Sequence, residues 1–453
     1  MIFQGIIERF AKEAPVATMV RGLLANILAS KELDAIFRGS AIRQYEDELL
    51  FSSLVELLHM VVTKSHKSIH AAYQAHCDQF EVSVTAVYDK LNGVETQVTR
   101  AVVQQTADRM RKVIEALGGP QQSSLGHYRR RILDGSHLAA TEHRLAELRT
   151  LRGGPLPGQA LVVLDPDLGL VTDIIPCEDG HAQERSLFVD LLDLVQPDDV
   201  WIADRNFCTV MMLHQIATCK AFFVVRQHAG LPWEPRGEQR PVGRTKTGSV
   251  YEQIVAVPDG FGNELLVRRV TLELDELTAE GERTIYILTN LPPQVKGPDV
   301  ADEYHGRWGI EAVFGELTLS LRGEINTLGY PGAALLGYAL ALVTYNVLSV
   351  VKAALRVVHG PEVINREVST YYLADEVAGM WRGMEVAVPA QQWDRTFAHI
   401  EPSDLAQKLI SIAGHADLRH YQKHPRKPKK PPPKRHGRKP HLSTARILAK
   451  RRR

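Results

Sequence analysis

The stretch Tyr304-His305-Gly306-Arg307-Trp308-Gly309-Ile310-Glu311 sets an aromatic ring, a guanidinium and a carboxylate at three- and four-residue spacing. On a helix turning about 100° per residue, Arg307, Glu311 and Gly315 fall within roughly 60° of Tyr304. Thr318 and Arg322 prolong that stripe, while Ile310, Val313, Phe314, Leu317 and Leu321 occupy the other side and can bury against a core. A solvated surface helix shares this amphipathic pattern, so the stripe takes its meaning from two aspartates upstream. Asp134 ends the short apolar run Arg131-Ile132-Leu133, and Asp204 ends Val200-Trp201-Ile202-Ala203. A short strand that delivers one acid at its end places a carboxylate at a sheet edge. Hard cations such as Mg²⁺ take oxygen ligands. Three acids from two strands and one helix can therefore hold two ions about 4 Å apart and clamp the attacking and leaving oxygens of a phosphodiester. A turn or helix cap is the other use of a strand-end aspartate. Asp165 and Asp167 compete for the same role, but they flank Pro166, and a turn accounts for them.

The elements that must position these residues divide the chain into regions. Residues 1–118 read as helical, with apolar residues at three- and four-residue spacing over 6–10, 19–28, 50–62 and 97–117. Gly118-Gly119-Pro120 breaks that pattern and opens a linker. Residues 125–226 alternate between strand and helix: strands over 131–134, 160–164, 168–175, 200–204 and 221–226, helices over 139–151, 184–194 and 210–218. Such alternation indicates a mixed α/β sheet. Residues 227–292 are rich in β formers punctuated by turns and read as a β insertion, with strands over 250–257, 265–274 and 284–291. The remainder of the catalytic region and further helices occupy 293–422. Residues 423–453 form a Pro-rich basic tail that cannot bury enough apolar surface to order itself.

Four ordered motifs carry a family resemblance: Leu133-Asp134-Gly135-Ser136-His137-Leu138, Ala203-Asp204-Arg205-Asn206-Phe207, Leu288-Thr289-Asn290-Leu291-Pro292 and Tyr304-x2-Arg307-x3-Glu311. Together they resemble the DDE insertion-sequence transposases, more narrowly the cut-and-paste bacterial group with a Tyr-Arg-Glu-Lys signature, over roughly residues 125–355. The resemblance implies a ribonuclease-H-like fold interrupted by a β insertion before its last acid. It also implies Mg²⁺-dependent DNA nicking and strand transfer, with Mn²⁺ a possible substitute and Asp134, Asp204 and Glu311 as the metal-binding acids. A 3′-hydroxyl freed at the element end would then attack the opposite strand or target DNA. In-line phosphoryl transfer of this kind needs positioning and charge neutralisation above all. Arg307 suits bidentate phosphate recognition. Tyr304 would hydrogen-bond a phosphate or stack near the terminal nucleotide, and Trp233 in the β insertion is a candidate platform for a flipped base. DNA (element ends and target) is the implied partner, a homodimer the implied assembly, and the bacterial cytosol and nucleoid the implied location. Sequence-specific reading of inverted repeats by the helical first region is implied too, with residues 83–94 as a candidate recognition helix.

One position departs from the signature: where its lysine is due, seven residues after Glu311, the chain has Thr318. A neutral hydroxyl supplies no fixed cation. Arg322 lies one turn further on, and helical side chains lean toward the N-terminus, so its guanidinium is expected to reach back over position 318. A catalytically silent DNA-binding descendant and a metal-dependent nuclease without strand transfer are the competing functions. Elsewhere, His66 and His70 are four apart with no third ligand beside them and read as a plain helix surface. His137 is three residues after Asp134, in reach of it or of a local hydrogen bond.

Composition sets the bounds. A chain of 453 residues with 44% hydrophobic content is globular and long enough for two or three domains. Its net charge of +1 conceals an asymmetry: residues 423–453 hold 14 Lys and Arg and no acid, leaving 40 basic against 53 acidic residues before them. Disordered runs of this kind bind nucleic acid by counterion release. The four cysteines show neither paired CxxC spacing nor a disulfide framework, which suits a reducing compartment. The first residues lack a basic segment followed by an apolar run, so no signal peptide is expected. Residues 325–351 carry no charge and pass a length test for a membrane span. Asn326, Thr327, Gly329, Pro331 and Gly332 break their first part, and the apolar helix after them is expected to be a buried core helix.

Overall fold

Strands buried on both faces read as continuous apolar runs, and two of the five runs here are buried at every position. In the computed structural model of the chain, which describes residues 2–44, 48–121, 123, 125–138, 156–278, 281–424, 443 and 448, these runs form one sheet. Its first five strands are β1 (Arg129–His137), β2 (Gln159–Asp165), β3 (Leu170–Cys177), β4 (Asp199–Ala203) and β5 (Phe222–Arg226). β2 and β4 are the two that are buried throughout. The spatial order is β3-β2-β1-β4-β5. β1, β4 and β5 run parallel, and β2 is antiparallel to both its neighbours. This is the ribonuclease-H-like arrangement that the motifs imply.

The strands expected as an insertion extend this sheet. They are β6 (Glu234–Pro235), β7 (Arg240–Arg244), β8 (Gly248–Pro258), β9 (Glu264–Leu274) and β10 (Thr284–Thr289). β10 pairs antiparallel with β5, from Ile287 opposite Arg226 to Thr289 opposite Val224, and then with β9, which pairs with β8. β6 and β7 both add to β8, giving ten strands. The physical reason is the unpaired edge of β5, which an antiparallel hairpin covers.

Seven helices precede the sheet: α1 (Ile2–Glu13), α2 (Pro15–Ile27), α3 (Ser30–Ser40), α4 (Phe51–Val62), α5 (Ile69–Ala75), α6 (Val84–Asn92) and α7 (Thr96–Ala116). They share a core with the sheet: Leu54 and Leu58 of α4, Val102 and Met110 of α7, and Ile132 and Val162 of the sheet belong to one buried cluster. After β3, residues 184–194 form a 3-10 helix rather than an α-helix, and after β4, α8 (Val210–Thr218) leads to β5. After β10 come α9 (Gly297–Gly306), α10 (Trp308–Leu319), α11 (Pro331–His359), α12 (Pro361–Glu367), α13 (Thr370–Ala387), α14 (Ala390–Phe397) and α15 (Pro402–Ala413). The helix expected over 139–151 lies outside the described residues, as does the basic tail from residue 425 apart from Ser443 and Leu448.

α11 is the one helix among the described residues long and apolar enough to cross a membrane, yet 94% of its most apolar window is buried inside the protein. It is apolar all round because it is covered all round. Among its buried polar side chains is Asn346, whose Nδ2 donates to the Val171 carbonyl at 2.7 Å and whose Oδ1 accepts the Val171 N–H at 2.8 Å. The amide thus stands in for a neighbouring strand at β3, the sheet's edge. Asn346→Ala leaves both backbone groups buried and unpaired. At about 1–3 kcal/mol for each orphaned group, an overall loss of roughly 3 kcal/mol is expected, read as a lower urea midpoint with an unchanged m-value.

Candidate functional site

β1 runs on to His137, so Asp134 lies inside it rather than at its end, while Asp204 directly follows β4; the two meet because β1 and β4 are parallel neighbours. Leu133 stands opposite Ala203, and one step further brings Asp134 beside Asp204, with strands about 4.8 Å apart. Alternation along each strand sends both carboxylates to the same face. Each is held by local backbone: the Gly135 N–H donates to Asp134 Oδ1 at 3.0 Å, and the Asn206 N–H donates to Asp204 Oδ1 at 2.7 Å, capping a one-turn 3-10 helix.

The helix face read from the sequence is two helices joined at Arg307. α9 ends at Gly306 and α10 starts at Trp308, while Arg307 keeps helical angles of φ −52° and ψ −33°. Tight i to i+3 bonds flank the joint, from Arg307 N to the Tyr304 carbonyl and from Ile310 N to the Arg307 carbonyl. The joint aims the Arg307 guanidinium at the sheet. One terminal nitrogen donates to Asp134 Oδ2 at 2.8 Å and the other to Glu311 Oε1 at 2.8 Å. Glu311 is thereby tied to Asp134 across a single guanidinium. The Tyr304 hydroxyl lies near Arg307, Arg226 and Asp204. Tyr304, Arg307, Asp134, Asp204 and Glu311 thus gather over the neighbouring interior strands β1 and β4.

The electrostatics are those of a crowded anionic pocket. Burial pushes the Asp134 carboxyl up to about 6, Arg307 opposes that rise, and Asp204 and Glu184 add to it. Burial works against the Arg307 charge, but Asp134, Tyr304 and Glu311 outweigh it and hold its pKa above the ordinary value. Burial likewise raises the Tyr304 phenol, against the pull of Arg307 and Arg226.

The donor set fits a hard divalent cation in chemistry: three carboxylates offering only oxygen, with negative potential in excess at Asp134. Among the described residues, no three His, Cys, Asp or Glu side chains stand close enough together to enclose an ion at once. The Arg307 guanidinium is the cation between Asp134 and Glu311. Asp134, Asp204 and Glu311 are the residues that would hold the metal.

Other expectations fare differently. α10 ends at Leu319, so Arg322 is not on its stripe; its Nη1 donates to the carbonyls of His66, at 3.2 Å, and Lys67, at 2.7 Å. It therefore does not reach over position 318, where Thr318 bonds back to the Phe314 carbonyl at 3.0 Å. Trp233 is half-buried with the Arg269 guanidinium 4.6 Å above its ring, so the expected base platform is engaged in the packing of the sheet. His66 is buried ahead of α5 rather than sharing a helix face with His70. Asp165 takes the N–H groups of Asp167 and Leu168 and pairs with Arg131, while Asp167 pairs with Arg130, as a turn requires. The sequence reading passed over Arg226 and Glu184. Arg226 ends a strand, a visible signal. Glu184 was hidden in an amphipathic run, and only the tertiary fold brings it to Gly135.

Compared with known proteins, residues 126–346 match the family described as Transposase DDE domain. Among solved structures, the chain is similar to the piggyBac transposase in a cryo-EM synaptic complex with hairpin DNA, with a TM-score of 0.42 and 11% identity over 87% of this chain and 85% of that one. No curated protein matches the sequence.

Proposed function

We propose that the chain, whose residues 126–346 match the family described as Transposase DDE domain, is a transposase of that type that cuts DNA at the inverted repeats of its own element and joins the freed 3′-hydroxyl to target DNA. The observation that carries this reading is that Asp134 and Asp204 end up side by side on neighbouring parallel strands while Arg307 ties Glu311 to Asp134. Divalent ions, Mg²⁺ by preference and Mn²⁺ in substitution, would lower the pKa of the attacking water and neutralise charge on the phosphodiester. The residues do the rest. Burial raises the Asp134 carboxyl to about 6, and a divalent ion beside it would favour its ionised form. Arg307 presents a planar fork matched to a phosphate, and the Tyr304 hydroxyl lies near it. Tyr304 itself is placed to hydrogen-bond a phosphate at the terminal nucleotide.

In this reading the protein acts as a homodimer on paired ends, in the bacterial cytosol at the nucleoid. The helices of residues 1–118, α6 among them, read the terminal repeats, and the basic residues of 423–453 add affinity through phosphates. Thr318 in place of the signature lysine favours a second reading, a catalytically silent DNA-binding descendant. Incubating the protein with Mg²⁺ and DNA bearing the repeats that flank its gene decides among them. Joined products are expected; cut but unjoined products would indicate a nuclease, and bound uncut DNA the silent descendant.

A further inference from the structure

On the face of β1 turned away from Arg307 lies a cleft of about 400 Å³ lined by His137, Gln183, Glu184, Arg185, Asn206 and His228. Its walls are tied through the chain to the acids. Gly135 and His137 alternate to the opposite face from Asp134. Asn206 lies two residues after Asp204, whose carboxylate accepts its amide. Glu184 stands so close over Gly135 that a Cβ there would come within 2.3 Å of its Oε1. A glycine directly after Asp134 is therefore what lets this wall approach β1.

Hydrogen-bond donors dominate the lining. The Gly230 N–H donates to His228 Nδ1 at 3.0 Å, which leaves the proton of the neutral ring on Nε2 as a donor. Arg185 Nε donates to Gln183 Oε1 at 3.0 Å, orienting the guanidinium. Glu184 is the one carboxylate of the lining, and His137 Nδ1 lies 3.4 Å from its Oε1. An arginine, two histidines and two amides against a single paired acid form a cradle for an anion, and among the described residues the lining holds no Phe, Tyr or Trp.

We propose that this cleft seats a backbone phosphate of the DNA strand being cut, next to the scissile phosphate at Asp134 and Asp204. The inference rests on the transposase reading and adds a subsite to it, with Arg185 and His228 as its anion-holding residues and Asn206 as the link to Asp204. Seating the neighbouring phosphate fixes the strand along two points, which is what in-line attack demands.

The test uses the full chain with Arg185→Ala, Arg185→Lys and His228→Ala, on a duplex carrying the element end and on an unrelated duplex. Each lost phosphate contact should lower the slope of log affinity against log salt by about one for the element end. The KM for DNA should rise more than kcat falls, and Arg185→Lys should restore the slope. If the parent cuts and both alanine variants keep its slope and KM, the cleft is not a phosphate seat. Equal losses on both duplexes would also overturn the assignment to the cut strand. If the parent binds the end without cutting, the cleavage reading fails on its own; a reduced slope in the variants would still support the cleft, and an unchanged one would overturn it.

Discussion

Asp134→Asn, Asp204→Asn and Glu311→Gln are each expected to abolish strand cleavage while leaving DNA binding close to the parent's. Each removes one anionic oxygen donor from the set that would hold the divalent ions, and such ions stabilise the developing charge by several kcal/mol. At tenfold per 1.36 kcal/mol, the expected loss is at least about 10³-fold. Cleavage of end-labelled repeat DNA measures it, alongside a binding titration that shows the variants folded. A variant that cuts within tenfold of the parent removes its residue from the site. Asp134 also carries a stability signature. Its carboxyl titrates at about 6 in the folded chain, above its usual 3.8, so between those values the folded state binds more protons than the unfolded. Stability from this group is therefore present at pH 4 and lost as pH rises through 6. Two units correspond to roughly 3 kcal/mol, and about 2 kcal/mol is expected because the Asp134 side chain is 18% exposed. In metal-free buffer, urea unfolding of Asp134→Asn against the parent should show no difference near pH 4 and a more stable variant at pH 7.5. A difference that stays flat with pH contradicts the burial argument.

Much of this site was legible because strands announce it simply. An apolar run ending in one acid gave Asp134 and Asp204, and the parallel register of β1 with β4 does the rest. Period reading also placed Arg307 and Glu311 four apart on one face, the spacing at which one guanidinium can reach a strand and the next turn together. What escaped depends on contacts between distant segments. The extension of the helical stripe to Arg322 failed because periodicity does not report where a helix stops: α10 ends at Leu319, and the chain turns so that Arg322 meets the carbonyls of His66 and Lys67. The β insertion was visible as strands but not as part of the same sheet, since composition does not reveal that β5 offers an open edge to β10. The helical first region read as separate because its helices bury against α11 and the sheet, partners that its own sequence does not specify.

Arg307→Ala tests whether that guanidinium stands in for the missing cation. Two carboxylates hang on Arg307, one of them largely buried, and the Arg307 side chain itself is 11% exposed. Breaking a buried pair by removing one partner leaves an uncompensated charge and costs about 3–5 kcal/mol. The parent is therefore expected to be more stable than Arg307→Ala by roughly 3 kcal/mol in metal-free buffer at pH 7.5, with the gap narrowing as pH falls and Asp134 takes up its proton. The repulsion left between Asp134 and Glu311 is what a divalent ion relieves, and an ion that binds only the folded chain stabilises it in proportion to its affinity. Mg²⁺ or Ca²⁺, with no DNA present, should thus raise the Tm of Arg307→Ala more than that of the parent. Arg307→Lys should fall between the two, because a single ammonium cannot bridge both carboxylates as the planar fork does. Equal metal responses in parent and Arg307→Ala would mean that Arg307 does not compete for the place between Asp134 and Glu311. A variant as stable as the parent would mean that these carboxylates find their compensation elsewhere.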